Sequence, residues 1–346
     1  MFDPSSDRRL SFSVELETWP LIAPFHITGY TFTDLSVVVV QISDGECVGR
    51  GEAAGVYYRG DVPEIAATQI RQAAGLTGSG DRRLLQPLLP PGGARNALDC
   101  ALWELEAQRA GVPVWRLAGV SEPVPLRTTH TLGVDTPERV ALAALAFTQT
   151  RALKLKLNGD DLDAQRIQSA RSARPDVWLG VDANQGFTLD SLERLRPVLL
   201  DCDVRLVEQP FLIGQEAALD GLDFPIPIAA DESVQGLADI DGLVGRFDII
   251  NIKLDKCGGL TEGLAMARRT RELGLKVMVG NMTGTSWAMG PAFVLEQLCD
   301  FVDLDGPLFL RTDRQPAVVY RNGEIWCADD VWGGPAGVSR GDRAPG

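Results

Sequence analysis

The sequence predicts an α/β protein, a (β/α)8-type TIM barrel fronted by an α+β capping domain. Two observations predict it. From about Val124 onward, short apolar stretches alternate with amphipathic helical segments, the texture of parallel βαβ units. Eight such stretches precede the last segment of the chain, as many as a closed barrel needs.

The cap comes first, over residues 1–120. "SFSVELETWPL" and "LSVVVVQIS" are β-rich, and "DGECVGRGEA" supplies a turn and another short strand, so this part reads as antiparallel. Two helical patterns follow. In the second, "ARNALDCALWELEAQRAG", Ala97, Ala101, Leu102 and Leu105 fall at helical spacing, and Gly111 with Pro113 beyond it ends the helix. The barrel, residues 121–310, takes its strands from "LRTTHTL", "ALKLKL", "VWLGVDA", "DVRLVEQ", "IPIAAD", "IINIKL", "LKVMVGNM" and "FVDLDG". The remaining segment, 311–346, carries one more hairpin pattern, "AVVYRNGEIWC", expected to return to the cap.

Composition narrows the function. With 346 residues, 45% of them hydrophobic, the chain can bury a core large enough for a barrel and a smaller unit. Its 47 acids against 33 bases give a formal charge of -14, which argues against nucleic acid or an anionic membrane as partner. The six cysteines form no Cys-x-x-Cys pair, and His26 and His130 are the only histidines, so structural zinc and histidine catalysis are not expected. "MFDPSSDRRLSFSVELETW" holds no uninterrupted apolar stretch. No secretory signal or membrane span is expected from it, and the expected location is the cytoplasm.

One strand poses a problem. In "ALKLKLNGD", Lys154 and Lys156 share one face of an apolar alternation, with Leu153, Leu155 and Leu157 on the other. Two ammonium groups side by side repel and are costly to desolvate, so that face is wet or meets something anionic. The charges that end later strands supply the anion. Lys156, Asp182, Glu208, Asp231 and Lys253 follow one another at intervals of 26, 26, 23 and 22 residues, one per βα unit. In a barrel all five converge on the C-terminal mouth. Three carboxylates from consecutive strand ends suit a hard divalent cation, with Mg²⁺ the leading candidate, although each acid taken alone also reads as a solvated strand end or helix cap.

Together, "LKLK", "VDANQ", "VEQP", "ADES" and "NIKLDKCGGL", in this order, resemble the enolase superfamily in its muconate-lactonizing-enzyme subgroup. "GRGEA" and "NALDCALWELEAQRAGVPVWRLAG" resemble that subgroup's capping domain, so the likeness spans nearly the whole chain. The resemblance implies a modified, enolase-like barrel with Asp182, Glu208 and Asp231 as Mg²⁺ ligands, Mn²⁺ being a substitute. It implies Lys156 as general base on one face of the substrate and Lys253 as acid or base on the other. Lys154 becomes a helper that favours a neutral amine beside it and binds the substrate carboxylate. The implied reaction is removal of a proton α to a carboxylate, with the developing charge neutralised where it forms.

"DLDGP" sets Asp303 and Asp305 on one face of the last strand and resembles the Asp-x-Asp with which dipeptide epimerases hold a substrate ammonium. An acidic strand end in solvent is the plainer reading. Tyr30, in "APFHITGYTF", falls where Ala-Glu epimerases carry an arginine, and Gly284 where many carry an acid. A neutral or apolar dipeptide, or an N-acylated amino acid, fits these departures at least as well as L-Ala-L-Glu. Tyr57 and Arg59 belong to a cap loop over the site or to a surface turn. Lys256 is read as a solvated helix start, and Cys257 as packing. The expected activity is a Mg²⁺-dependent two-lysine epimerase of dipeptides or related amino-acid derivatives. A dehydratase of a β-hydroxy acid such as a hydroxyproline and an N-acylamino-acid racemase are the alternatives, and the resemblance also implies a homo-oligomer acting on a small molecule.

Overall fold

The computed structural model describes residues 10–74 and 80–335. Residues 1–9 and 336–346, assigned by sequence to the cap and to the returning segment, lie outside it, as do 75–79. The cap is a three-stranded antiparallel sheet of β1 (Ser11–Ile27), β2 (Tyr30–Ser43) and β3 (Val48–Ala53). Its valine run is unbroken because β2 is buried on both faces. Val38, Val40 and Ile42 pack with the cap helices, whereas Leu35, Val37 and Val39 pack with Leu21 and Leu310. The helix Gly93–Ala110 lies directly on β3. A Cβ at Gly49 or Gly51 would come within 1.8 Å of the carbonyl oxygens of Ala101 and Ala97, so "GRGEA" needs glycine at both places.

The second layer is a curled sheet of eight parallel strands. They are β5 (His130–Leu132), β6 (Ala152–Lys156), β7 (Trp178–Asp182), β8 (Val204–Glu208), β9 (Ile228–Ala230), β10 (Ile249–Lys253), β11 (Lys276–Gly280) and β12 (Phe301–Val302), in that spatial order. Thr129 N donates to Val302 O at 3.0 Å, so one backbone bond and a few side-chain bonds join the two edges where a closed barrel would have a ladder. All eight expected strands are present. Helices cover most crossovers, but those flanking β9 are 3-10 turns, Glu216–Leu219 and Leu237–Leu243, because Gly, Pro and Asp interrupt those short segments.

Side-chain alternation layers the interior. Trp178, Leu206, Ala229, Ile249, Met278 and Phe301 plug the bottom, with the Trp178 ring filling the space beside Gly180. Two residues further along, four of these inward positions turn polar, at Glu208, Asp231, Asn251 and Asp303, and on β7 Asp182 follows Gly180. That switch, at constant period two, makes the mouth a site and the bottom a core.

Two details depart from the sequence reading. The tail hairpin, β13 (Val319–Arg321) and β14 (Glu324–Trp326), pairs with β4 (Leu126–Arg127) at the entrance to the barrel, and not with the cap sheet. Strand partners far apart in sequence leave no local signature, which is why the pattern misled. The segment does touch the cap through Arg314, which binds Glu17 and Glu52, and through Trp332 Nε1, which donates to Arg50 O. The last barrel strand stops at Val302, so Asp303 and Asp305 lie just past it. Among the described residues no helix is long and apolar enough to cross a membrane.

Candidate active site

Parallel register builds the site. Lys156 pairs with Asp182, and Asp182 with Glu208, so three charged side chains stand abreast on the inner face of β6, β7 and β8. Asp231, one residue past β9, and Lys253, ending β10, complete the ring. One ligand oxygen from each of Asp182, Glu208 and Asp231 lies within 4.8 Å of the others, and the three carboxylates are buried. The five groups predicted from strand spacing are brought together.

Each end of the triad meets an amine. Lys156 Nζ is 2.6 Å from Asp182 Oδ2, and Lys253 Nζ is 2.6 Å from Asp231 Oδ2. Lys154, on the same inward face as Lys156, donates to Glu208 Oε2 at 3.3 Å and to Asp303. Burial works against its charge, yet Asp303, Glu208 and Asp182 outweigh burial and hold it well above the ordinary lysine range. Lys154 is therefore a fixed cation. Lys253 is likewise raised, because Asp231 and Glu208 overcome its burial. Among the carboxylates, burial and the neighbouring Asp182 push Glu208 up to about 8. Asp231 falls far below the carboxylate range, since Lys253 and Lys256 overwhelm its desolvation.

Lys256 corrects the sequence reading. It is buried, with Nζ donating to Asp231 Oδ1 at 2.5 Å and to Asp231 O at 2.6 Å. The single helical turn Leu254–Cys257 that follows β10 folds it back over the mouth, so it is no solvated helix start. Cys257 packs in the core as expected, and the six cysteines carry no disulfide.

The site fits a divalent ion on its own chemistry. It offers three hard oxygen donors crowded in a buried space, and around them stand buried polar atoms with no hydrogen-bond partner, namely Asn251 Oδ1, Asn184 Oδ1 and Glu232 Oε2. Asn251 Nδ2 donates to Glu208 Oε1 at 2.7 Å and Asn184 N to Asp182 Oδ1 at 2.9 Å, which orients two of the three acids. Sequence reasoning missed Asn251, Asn184 and Glu232, although each lies within two residues of a predicted group.

On the far side, Asp303 binds Lys154 and the Thr129 hydroxyl. Asp305 accepts from Thr131 N at 2.7 Å and stands near Asn281 Nδ2. Both acids are buried, which overturns the plainer reading of a solvated strand end. Burial and Asp303 push Asp305 up to about 6.

The cap roofs this mouth. Tyr30, Phe32 and Tyr57 form a ring cluster, with Tyr30 4.5 Å from Phe32 and 4.7 Å from Tyr57. Tyr57 and Tyr58 stand close enough to Asp231, Glu232 and Lys253 to feel their charges, and burial raises both phenols, so they are neutral. Tyr30 itself remains half exposed at the rim. Arg59 Nη1 donates to Gln235 Oε1 at 3.1 Å, fastening the turn to the barrel. Gly284 has no room for an acid, since a Cβ there would lie 2.5 Å from that of Ala288.

Comparison with known proteins agrees with this geometry. Residues 10–119 match the model of the mandelate racemase / muconate lactonizing enzyme N-terminal domain, and residues 138–330 that of the enolase C-terminal domain-like family. The L-Ala-D/L-Glu epimerase of Escherichia coli (strain K12) is 38% identical over 315 residues, 89% of this chain and 97% of that protein. An enolase family member from Agrobacterium tumefaciens with homology to dipeptide epimerases, solved with sodium and L-Ala-L-Glu, superposes with a TM-score of 0.91. It is 36% identical, over 94% of this chain and all of that one. A dipeptide epimerase from Methylococcus capsulatus, complexed with Mg and L-Arg-D-Lys, superposes with a TM-score of 0.84 at 28% identity, over 92% of this chain and 97% of that one.

Proposed function

Since this chain belongs to the enolase superfamily, in its mandelate racemase and muconate lactonizing enzyme group, we propose that it is a Mg²⁺-dependent epimerase of dipeptides or close amino-acid derivatives. The observation that carries the reading is the pair of amines bracketing a buried triad: Lys156 at 2.6 Å from Asp182, and Lys253 at 2.6 Å from Asp231. Asp182, Glu208 and Asp231 hold the ion, which when bound lowers the energy of the negative charge that builds on the substrate carboxylate.

Against that background the chain takes one proton from the α-carbon and returns another to it. A neutral lysine on one face takes the α-hydrogen: its C–H bond breaks, an N–H bond forms, and the electron pair passes into the carboxylate as an enediolate. The protonated lysine on the opposite face returns a proton to the same carbon, inverting it. Lys156 and Lys253 exchange these duties according to which epimer is bound. Lys154, a permanent cation, binds the substrate carboxylate and adds to its neutralisation. Asp303 and Asp305 receive the substrate ammonium, which fits two buried carboxylates just beyond the last strand. The aromatic rings of Tyr30 and Tyr57 roof the site and offer no cation to a distal carboxylate, so the preferred dipeptides end in a neutral residue.

Further readings belong with this one. The cap, barrel and returning segment divide at residues 120 and 310, the enzyme works in the cytoplasm, and it assembles as a homo-oligomer. The scattered cysteines, with no Cys-x-x-Cys pair among them, support the reducing compartment, and light scattering tests the assembly.

The test is a dipeptide panel in D₂O with Mg²⁺. Epimerisation incorporates deuterium at the α-carbon and changes optical rotation without a new chromophore. Release of water and a keto acid trapped as its semicarbazone would make the enzyme a dehydratase. Exchange with N-acylamino acids alone would make it their racemase.

A further inference from the structure

The turn between β1 and β2 reaches across to the barrel. It is two residues long, Thr28 and Gly29, with Gly29 at φ +73° as a tight hairpin requires. The Thr28 hydroxyl lies 2.8 Å from Leu157 O and 3.3 Å from Ala183 O. Those carbonyls belong to the residues that immediately follow Lys156 and Asp182. Both residues already use their amides in the sheet, Leu157 N donating to Asp182 O and Ala183 N to Glu208 O. Ala183 O accepts from Gly186 N as well, so the hydroxyl proton belongs on the nearer oxygen, that of Leu157.

The neighbouring residues make the same crossing. Val134 N donates to His26 O at 3.0 Å, and Phe25 stacks on Phe309 at 4.6 Å. Two residues beyond Thr28, Tyr30 joins the aromatic roof. One hairpin tip thus touches the roof over the substrate and the strand ends that carry a base and a metal ligand.

We infer that Thr28 is a positioning residue whose hydroxyl latches the cap hairpin onto the ends of β6 and β7, so that closing the roof and seating Lys156 are one event. The role in turnover rests on the two-lysine reading; the latch itself does not. Lys253, on β10, lies outside its reach. Loss of the latch therefore acts on one face of the substrate more than on the other.

The test compares Thr28→Val, which keeps shape and removes the hydroxyl, with Thr28→Ser, which keeps the hydroxyl. The first readout is hydrogen exchange of the Val134 amide, which reports hairpin docking with no substrate present. Thr28→Val should speed it about tenfold, the equivalent of one hydrogen bond, and Thr28→Ser should restore it. The second readout uses the epimer that gives its proton to Lys253, in D₂O with Mg²⁺. The ratio of deuterium uptake with retention to epimerisation should rise about tenfold in Thr28→Val and return in Thr28→Ser, because only delivery from Lys156 is impaired. Unchanged Val134 protection overturns the latch. Uptake and epimerisation falling together at constant ratio overturn its role in positioning Lys156. If the wild type exchanges no dipeptide, the epimerase reading fails, and Val134 still judges the latch.

Discussion

Removing one of the three proposed metal ligands should make the ion-free protein more stable. Oxygens of Asp182, Glu208 and Asp231 lie within 4.8 Å of one another. At an effective dielectric near 20, each ionised pair at that distance repels by about 3 kcal/mol. Glu208 relieves the crowding by keeping its proton: burial and Asp182 raise it from 4.5 to about 8. A carboxyl raised on folding contributes stability that is fully present below pH 4.5 and is lost as pH rises through its folded value. At pH 7, folding the wild type therefore costs about 3 kcal/mol for taking up that proton. Glu208→Gln removes the cost. Its amide oxygen can still accept from Asn251, while the partner of Lys154 on the other oxygen is lost, so the net gain is about 2 kcal/mol. With an unfolding entropy of about 2 cal/mol/K per residue over the 346-residue chain, that is a melting point about 3 °C higher.

Differential scanning fluorimetry in EDTA at pH 5, 7 and 8 reads this directly. The advantage of Glu208→Gln should be small at pH 5 and grow with pH. Excess Mg²⁺ should then reverse the order. At a hundred times its dissociation constant the ion adds about 2.7 kcal/mol, or about 4 °C, to the wild type, and little to the variant. A variant that melts below the wild type in EDTA at pH 7 would refute the reasoning, and so would one that gains as much from Mg²⁺.

Two other outcomes are expected. Arg314 joins Glu17 and the buried Glu52 beneath Trp287, so Arg314→Ala strands a buried carboxylate and should cost about 3–5 kcal/mol in a denaturation curve; Glu52→Gln in the same background should recover part of it. Asp303→Asn should lower kcat/KM for dipeptides at least tenfold more than for N-acylated analogues, because only the former bring an ammonium to that acid; equal losses would remove Asp303 from substrate recognition.

The barrel and its charged ring were legible because each of Lys156, Asp182, Glu208, Asp231 and Lys253 ends or closely follows a short apolar strand. An inward strand position is decided by period two, so the direction of each side chain follows from the run before it. Lys256 broke that logic, since its direction is set by a one-turn helix after the strand, which periodicity does not report. Long-range pairing hid the rest. The hairpin Val319–Trp326 found Leu126–Arg127, and Tyr30 met Tyr57, through contacts that no local pattern encodes. Thr28 was invisible for the same reason: a threonine in a turn looks like turn chemistry until its acceptors, Leu157 and Ala183, are seen.

One measurement bears most directly on the two-lysine account: α-proton exchange in D₂O by Lys156→Ala and Lys253→Ala, each given both epimers of one active dipeptide with Mg²⁺. Each variant should lose exchange from one epimer and keep it from the other, with the two variants complementary, and neither should epimerise. Exchange of both epimers by either variant, in the wild-type proportion, would contradict the account.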